Sequence, residues 1–103
     1  MKAKPYKCTI VDGHERYARC PASEATHVKL NCPGLFPYRI IPVHGSHGWQ
    51  WNGDVERPTL SPSILTKNQM GVCHSFVRDG QIQFLADCTH EYAGQTLDLL
   101  EVD

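Results

Sequence analysis

The stretch Val72-Cys-His-Ser-Phe-Val-Arg-Asp-Gly-Gln-Ile-Gln-Phe-Leu-Ala-Asp87 decides the fold class. Two arms rich in β-forming residues flank Asp79-Gly80, a pair that accepts the positive φ angles of a two-residue type I′ turn. The sequence therefore predicts an antiparallel hairpin in which Arg78 pairs with Gln81 and the pairing continues outward from there.

This register divides the side chains of the hairpin between two faces, because faces alternate along each strand. The first face carries Cys73, Ser75, Val77, Ile82, Phe84 and Ala86, and an extended continuation adds Cys88. The second face carries His74, Phe76 and Leu85, with Asp87 diagonal to His74. Diagonal neighbours lie about 7–8 Å apart, which long side chains can span.

The rest of the chain has the same strand-like character. Its apolar clusters are short and separated by glycine and proline, which is typical of strands rather than helices. With 103 residues, the chain has the length of one domain. We therefore predict a mostly β fold, a small single domain over residues 1–103 built on an antiparallel β-sheet with a central Asp-Gly hairpin, and one short helix around residues 89–93.

Charge and hydropathy exclude two classes of partner. Ten basic and eleven acidic side chains leave a formal charge of −1, whereas nucleic-acid binding needs a clustered basic surface. No segment approaches the roughly 20 apolar residues of a membrane span. We therefore expect neither a nucleic-acid partner nor a membrane partner. The first residues lack the apolar block of a signal peptide, so we expect a cytoplasmic location.

The five cysteines suggest a metal site more than disulfide bonds, since the number is odd. Cys73 and Cys88 converge on the first face, and His90 joins them if the backbone stays extended. Thiolates and imidazole are the ligands that Zn²⁺ prefers, and Cys32, in a Cys-Pro-Gly turn, is the candidate fourth ligand of a structural zinc. The alternative is that these cysteines are small buried apolar residues.

The second face offers an acid–base pair. A carboxylate at Asp87 that accepts from one imidazole nitrogen of His74 leaves the other nitrogen free to act as a base. The segment Pro58-Thr-Leu-Ser-Pro-Ser-Ile-Leu65 offers Ser61 or Ser63 as a nucleophile. The alternative is that these serines only bond the backbone of a turn.

Trp49 and Trp51 alternate along a short segment and therefore share a face of a strand. Two aromatic rings on one face can stack a ligand or a peptide. They can equally well fill the core of a small β domain.

An ordered series of motifs resembles a known family. The motifs are Trp49-Gln-Trp-Asn-Gly, Pro58-Thr-Leu-Ser-Pro-Ser-Ile, Cys73-His-Ser-Phe-Val-Arg-Asp-Gly and Ala93-Gly-Gln-Thr. They are similar to those of small phage and prophage proteins that often carry the label ammonia monooxygenase, which nothing in this chain supports. That family is related to a peptidase-like component of bacterial ubiquitin-like conjugation operons.

The resemblance implies a serine peptidase that removes a ubiquitin-like modifier. It implies Ser63 as nucleophile, His74 as base and Asp87 as the group that orients the base. Members of the family usually carry a Cys-Pro-Gly-Cys motif, and Leu35 replaces its second cysteine here. Either Cys88 or His90 completes a rearranged zinc site, or the metal has been lost and packing replaces it.

We therefore expect a hydrolase of peptide, isopeptide or ester bonds whose partner is a protein or peptide, such as a ubiquitin-like modifier or a host protein. One alternative is a non-catalytic, phage-encoded binding module that uses Trp49, Trp51 and the edge strands to bind a host or defence protein. Another is a zinc-dependent hydrolase in which Cys73, Cys88 and His90 hold the metal.

Overall fold

The computed structural model describes residues 1–33, 38–45 and 48–102. Over these residues the chain forms nine strands and one turn of 3-10 helix at Ala22–Glu24. The strands are β1 (Lys4–Val11), β2 (His14–Arg19), β3 (His27–Asn31), β4 (Tyr38–Pro42), β5 (Gln50–Trp51), β6 (Leu60–Asn68), β7 (Gly71–Arg78), β8 (Gln81–Phe84) and β9 (Thr96–Asp98).

The mostly β class is confirmed, but two of its details differ from the prediction. The strands form two antiparallel sheets rather than one, in the orders β2-β1-β3-β4 and β5-β6-β7-β8-β9. The helix expected around residues 89–93 is replaced by turns, one of them closed by the bond from the Ala93 N–H to the His90 carbonyl. In the part of the chain described, no helix has the length and apolar character that crossing a bilayer requires.

Strands β7 and β8 pair in the register expected from the sequence. Arg78 lies opposite Gln81, and the pairing runs outward as far as Ser75 opposite Phe84. The connecting residues Asp79 and Gly80 have φ angles of 53° and 78°, the positive values that favour glycine. Any side chain at residue 80 would also lie 3.3 Å from the backbone of residues 56 and 57, so this turn packs tightly against the preceding loop.

Buried apolar residues of both sheets meet in one core. Their side chains are each at least nine-tenths buried, and they come from the inward faces of the strands and from the loops between them. The cluster comprises Ala3, Ala25, Val28, Leu30, Cys32, Ile41, Val43, Trp51, Leu60, Ile64, Cys73, Val77, Ile82, Phe84, Cys88 and Leu99. Burial of this apolar surface is the main stabilising contribution to such a fold.

Backbone hydrogen bonds outside the strands also join the two sheets. The N–H of Ala3, just before β1, donates to the Val55 carbonyl in the loop after β5, at 3.0 Å. After β9, the N–H of Leu100 donates to the carbonyl of Asn31 in β3, also at 3.0 Å. The chain therefore fixes the two sheets against each other near both termini.

Candidate active site

A bulge in β6 places the candidate nucleophile. Leu60 of β6 pairs with Val77 of β7, but Ile64 pairs with Ser75, so residues 61–63 lie opposite Phe76 alone. Bulges of this kind re-aim side chains and are common beside active sites. Here the bulge ends at Ser63, which is partly buried and lies on the face of the sheet that carries His74.

The two candidate serines are separated by this bulge. Ser61 lies opposite Gln50 of β5 and is exposed. Ser63 directs its Oγ to the Nε2 atom of His74, at 3.1 Å. The structure therefore brings Ser63, and not Ser61, to the histidine.

A turn after β8 places Asp87. Leu85 donates its N–H to the His74 carbonyl at 2.9 Å, and the Cys88 N–H then closes a turn on the Leu85 carbonyl at 3.2 Å. Because of this turn, Cys73 and Ala86 do not pair as predicted. Ala86 is exposed instead of lying on the buried face. The pairing resumes at residue 89.

Asp87, at this turn, directs its Oδ2 to the Nδ1 atom of His74 at a distance of 3.0 Å. The imidazole of His74 therefore has a carboxylate at one nitrogen and the Ser63 hydroxyl at the other. This is the arrangement of a Ser-His-Asp triad, which is recognised by geometry and not by order along the chain.

The three residues differ in their contact with solvent. The side chain of His74 is 25% exposed, while that of Asp87 is 57% exposed. Water therefore screens the attraction between carboxylate and imidazole more than in a triad with a buried aspartate. We expect Asp87 to orient the ring of His74 more than to stabilise its charge.

The thiol of Cys88 forms two hydrogen bonds with the backbone of His74. Its Sγ accepts a hydrogen bond from the His74 N–H at 3.2 Å and donates to the His74 carbonyl at 3.1 Å. Both backbone groups of His74 therefore point away from β6 and toward the segment that follows β8. Cys88 thus connects the candidate triad to a group of metal-binding side chains.

That group consists of Cys73, Cys88 and His90, whose ligand atoms all lie within 4.8 Å of one another. Two thiols and an imidazole are a donor set suited to a thiophilic metal. The Nε2 atom of His90 is buried and has no hydrogen-bond partner among the described residues, as expected for an atom that could ligate a metal ion. The group could therefore bind a metal ion, although the backbone reaches His90 through a turn and not in the extended form expected.

Cys32, the predicted fourth ligand, is not a member of this group. Burial raises the pKa of its thiol to about 11, and the nearby Arg39 guanidinium opposes that shift. Burial of the imidazole lowers the pKa of His90, and the charge of Arg39 lowers it further. Leu35, where the resemblance leads us to expect a second cysteine, lies outside the described residues.

Arg39 is a buried cation that the sequence reading missed. Its guanidinium donates to the hydroxyl of Thr66 on β6, and so links the two sheets beside the cysteines. The signal was present in the alternation of β4, where Arg39 falls on the same buried face as Ile41. Burial raises the pKa of the Cys73 thiol, and the Arg39 guanidinium opposes that shift.

The two tryptophans do not form an exposed binding surface. Trp51 is 7% exposed and belongs to the core. Trp49 packs against that core and donates its indole N–H to the carbonyl of Ser63, at 3.3 Å. Trp49 therefore contacts the backbone of the candidate nucleophile, a role that the alternation of the two rings did not reveal.

Comparison with known proteins assigns the chain to a family. No curated protein matches it, and no solved structure does. A family model described as bacterial ubiquitination-like system serine protease (BubE) matches residues 6–85, which include Ser63 and His74 and end two residues before Asp87. The chain belongs to the bacterial ubiquitination-like system serine protease family.

Proposed function

We propose that this protein is a serine hydrolase that cleaves an amide bond with Ser63, His74 and Asp87. The observation that carries the proposal is the continuous hydrogen-bonded row from Asp87 Oδ2 to His74 Nδ1, at 3.0 Å, and from His74 Nε2 to Ser63 Oγ, at 3.1 Å. The family name supports the same class of reaction. Each distance falls within the range of an ordinary hydrogen bond.

The reaction follows from the order of the row. Ser63 Oγ attacks the carbonyl carbon of the substrate while His74 Nε2 takes its proton, and Asp87 holds the ring in the tautomer that accepts it. The C–N bond then breaks, and the amine leaves with the proton from His74. A water molecule, deprotonated by His74, hydrolyses the acyl–Ser63 ester and regenerates the hydroxyl.

The substrate we propose is a protein carrying a ubiquitin-like modifier, or the modifier's own precursor. The family description refers to a bacterial ubiquitination-like system. We infer that its modifier is joined to the target through an amide bond, as the comparison with ubiquitination implies. A serine hydrolase in that system would cleave this bond or trim a peptide from the modifier. Ser63 and His74 are both partly exposed, so a protein segment can reach them.

A structural zinc is a second part of the proposal. The thiols of Cys73 and Cys88 and the imidazole of His90 would hold it, and the ion would fasten the segment after β8 to β7. This segment includes Asp87, so a bound zinc would stabilise the position of the orienting carboxylate. The alternative of a zinc-dependent hydrolase would use the same three residues. The alternative of a binding module is less well supported, because Trp51 is buried and the two tryptophans form no exposed surface.

A fluorophosphonate probe tests the proposed nucleophile. We expect native mass spectrometry to show one covalent adduct on the purified protein, mapped to Ser63 and absent from the His74→Ala variant. The same spectrum before labelling reports the mass of any bound zinc. An adduct on another serine, or equal labelling of the His74→Ala variant, would contradict the triad. Removal of zinc by a chelator separates the serine hydrolase from the zinc-dependent hydrolase, since a structural metal predicts that Ser63 is still labelled, although at a lower rate.

A further inference from the structure

The backbone beside Ser63 offers an unpaired strand edge. On the side of β6 away from β7, strand β5 pairs with Leu60 and Ser61. Further along β6, within the described residues, no strand pairs with residues 64–68 on that side. Residues 64–68 of β6 therefore pair with β7 on one side and have no described strand on the other.

The direction of the backbone groups follows from the pairing with β7. Leu65 lies opposite His74, whose N–H and carbonyl are both occupied on the β8 side by Cys88 and Leu85. In an antiparallel ladder, such a position is a non-hydrogen-bonded pair, so the N–H and carbonyl of Leu65 point away from β7. The amide groups of Leu65 therefore face the unpaired edge.

The next odd-numbered residue repeats this arrangement. Lys67 lies opposite Val72, whose N–H donates to the Thr89 hydroxyl and whose carbonyl accepts from the Thr89 N–H, each at 2.9 Å. The backbone groups of Lys67 therefore also face the unpaired edge. Leu65 and Lys67 are both exposed, and the side chain of Leu65 is an apolar surface 56% open to solvent.

The triad leads toward this edge. It crosses the sheet from Asp87, after β8, through His74 on β7 to Ser63 on β6. A carbonyl group that approaches Ser63 Oγ from the side opposite His74 would lie beside the unpaired edge of β6. The hydrogen bond from the Trp49 indole to the Ser63 carbonyl occupies the edge of β6 at residue 63. The edge beside residues 64–68 stays open within the described part of the chain.

We propose that the substrate binds as an added β-strand along β6, with the acyl side of its scissile bond paired to Leu65 and Lys67. The proposal rests on the proposed function and names its substrate class, an extended, unfolded peptide segment at the cleavage point. Strand addition supplies affinity through backbone hydrogen bonds and tolerates varied side chains. The peptide on the acyl side would stay paired with β6 after the amine has left. This pairing would keep the acyl–Ser63 ester in position for hydrolysis.

Peptidyl diphenyl phosphonates test this directly. Ser63 Oγ displaces phenoxide from phosphorus, and the peptide remains attached on the acyl side. We would measure the labelling rate for probes with one to four residues, each made with glycine, alanine or leucine at the reacting position, against a fluorophosphonate that has no peptide. Two added hydrogen bonds predict a rate that rises at least about tenfold between the shortest and longest probes.

An N-methyl scan of the longest probe supplies the control. Methylation should slow labelling only at alternate amides, because only every second amide of an added strand faces β6. In the labelled protein, hydrogen exchange at the Leu65 and Lys67 amides should slow. A rate that does not change with length, or a scan without alternation, overturns the strand model while leaving the nucleophile intact. If the fluorophosphonate fails to label Ser63, the proposed function fails, and the strand model with it.

Discussion

Ser63 Oγ lies 3.1 Å from His74 Nε2, although the two residues belong to strands whose register is interrupted between Leu60 and Ile64. The interruption is what separates the two serines of the Ser-Pro-Ser segment. Ser61 stays in the pairing with β5, while Ser63 emerges next to the histidine. The chemistry proposed for this chain therefore depends on a local irregularity of β6.

Replacing Ser63 by alanine should abolish fluorophosphonate labelling, since no other hydroxyl contacts His74 Nε2 among the described residues. Turnover of a peptide substrate should fall by at least about a thousandfold, as when a nucleophile is removed from a triad. The fold should persist, because the lost hydrogen bond contributes only about 1 kcal/mol. Labelling kinetics and thermal unfolding measure the two effects.

The matched control is Ser61→Ala, two residues away in the same strand. It removes an exposed hydroxyl and should leave labelling within about twofold of the unmodified protein. Loss of labelling in this variant, with Ser63→Ala still reactive, would move the nucleophile to residue 61.

Much of this site was predictable from the hairpin alone. The Asp79-Gly80 turn sets the register as far as Phe84, and continuing that register along the sequence predicts His74 and Asp87 on one face. Asp87 reaches His74 by a turn instead of by the extended strand that was predicted. The two strands of the hairpin are adjacent in sequence, so their pairing can be predicted without knowing how other strands pack.

The second sheet and the bulge could not be read in this way. Strand β1 pairs with β3 although β2 lies between them in the sequence. Strand β6 loses its register at Pro62 and Ser63, where the alternation of side chains gives no sign of extra residues. Arg39 and Thr66 come from different sheets, so their contact depends on how the sheets pack. Only a pattern within one strand, such as Arg39 beside Ile41, left a signal.

Asp87→Asn should reduce the labelling rate by about 10- to 100-fold. The amide cannot hold the imidazole in the tautomer that accepts the serine proton, which costs about 10⁴-fold in triads with a buried aspartate. We expect a smaller loss here because the carboxylate is 57% exposed and water screens its charge. Stopped labelling assays on the purified variant give the rate.

Asp79→Asn is the control for the same chemical change. Asp79 lies in the turn between β7 and β8 with a φ of 53°, a conformation that asparagine also adopts readily. Its labelling rate should match that of the unmodified protein. Equal losses in the two variants would show that the change at Asp87 acts through the fold and not through His74.

Ser75→Ala should leave the protein as stable as before or more stable. Ser75 is fully buried, and its hydroxyl has no hydrogen-bond partner among the described residues. Removing an unsatisfied buried hydroxyl relieves a desolvation cost of about 1–3 kcal/mol, offset in part by lost packing. Chemical denaturation measures the change, and destabilisation by more than about 1 kcal/mol would mean that this hydroxyl has a partner in solution.

Zinc binding should depend on Cys88 and not on Cys32. Cys88→Ser removes one of three clustered donors and should weaken zinc at least about tenfold, whereas Cys32 lies outside the group. Native mass spectrometry over a zinc titration compares Cys88→Ser with Cys32→Ser, both changes at buried thiols. Equal weakening in the two variants would restore Cys32 as a ligand, and unchanged binding in both would remove the metal from this cluster.

Trp49→Phe should slow labelling of Ser63 while leaving the protein folded. The indole N–H of Trp49 donates to the Ser63 carbonyl at 3.3 Å, so it restrains the end of the bulge from which the nucleophile projects. Phenylalanine keeps the aromatic packing and removes the donor. A hydrogen bond of about 1 kcal/mol predicts a rate roughly fivefold lower when the restraint is lost.

Trp51→Phe provides the matched comparison two residues further along the chain. Its indole N–H is buried and has no hydrogen-bond partner among the described residues, so the variant removes no contact with the triad. Its labelling rate should equal that of the unmodified protein, and its stability should change by less than about 1.5 kcal/mol, as in a conservative core substitution. If both variants slow labelling equally, core packing controls the rate. If only Trp49→Phe slows it, the hydrogen bond to the Ser63 carbonyl holds the nucleophile in position.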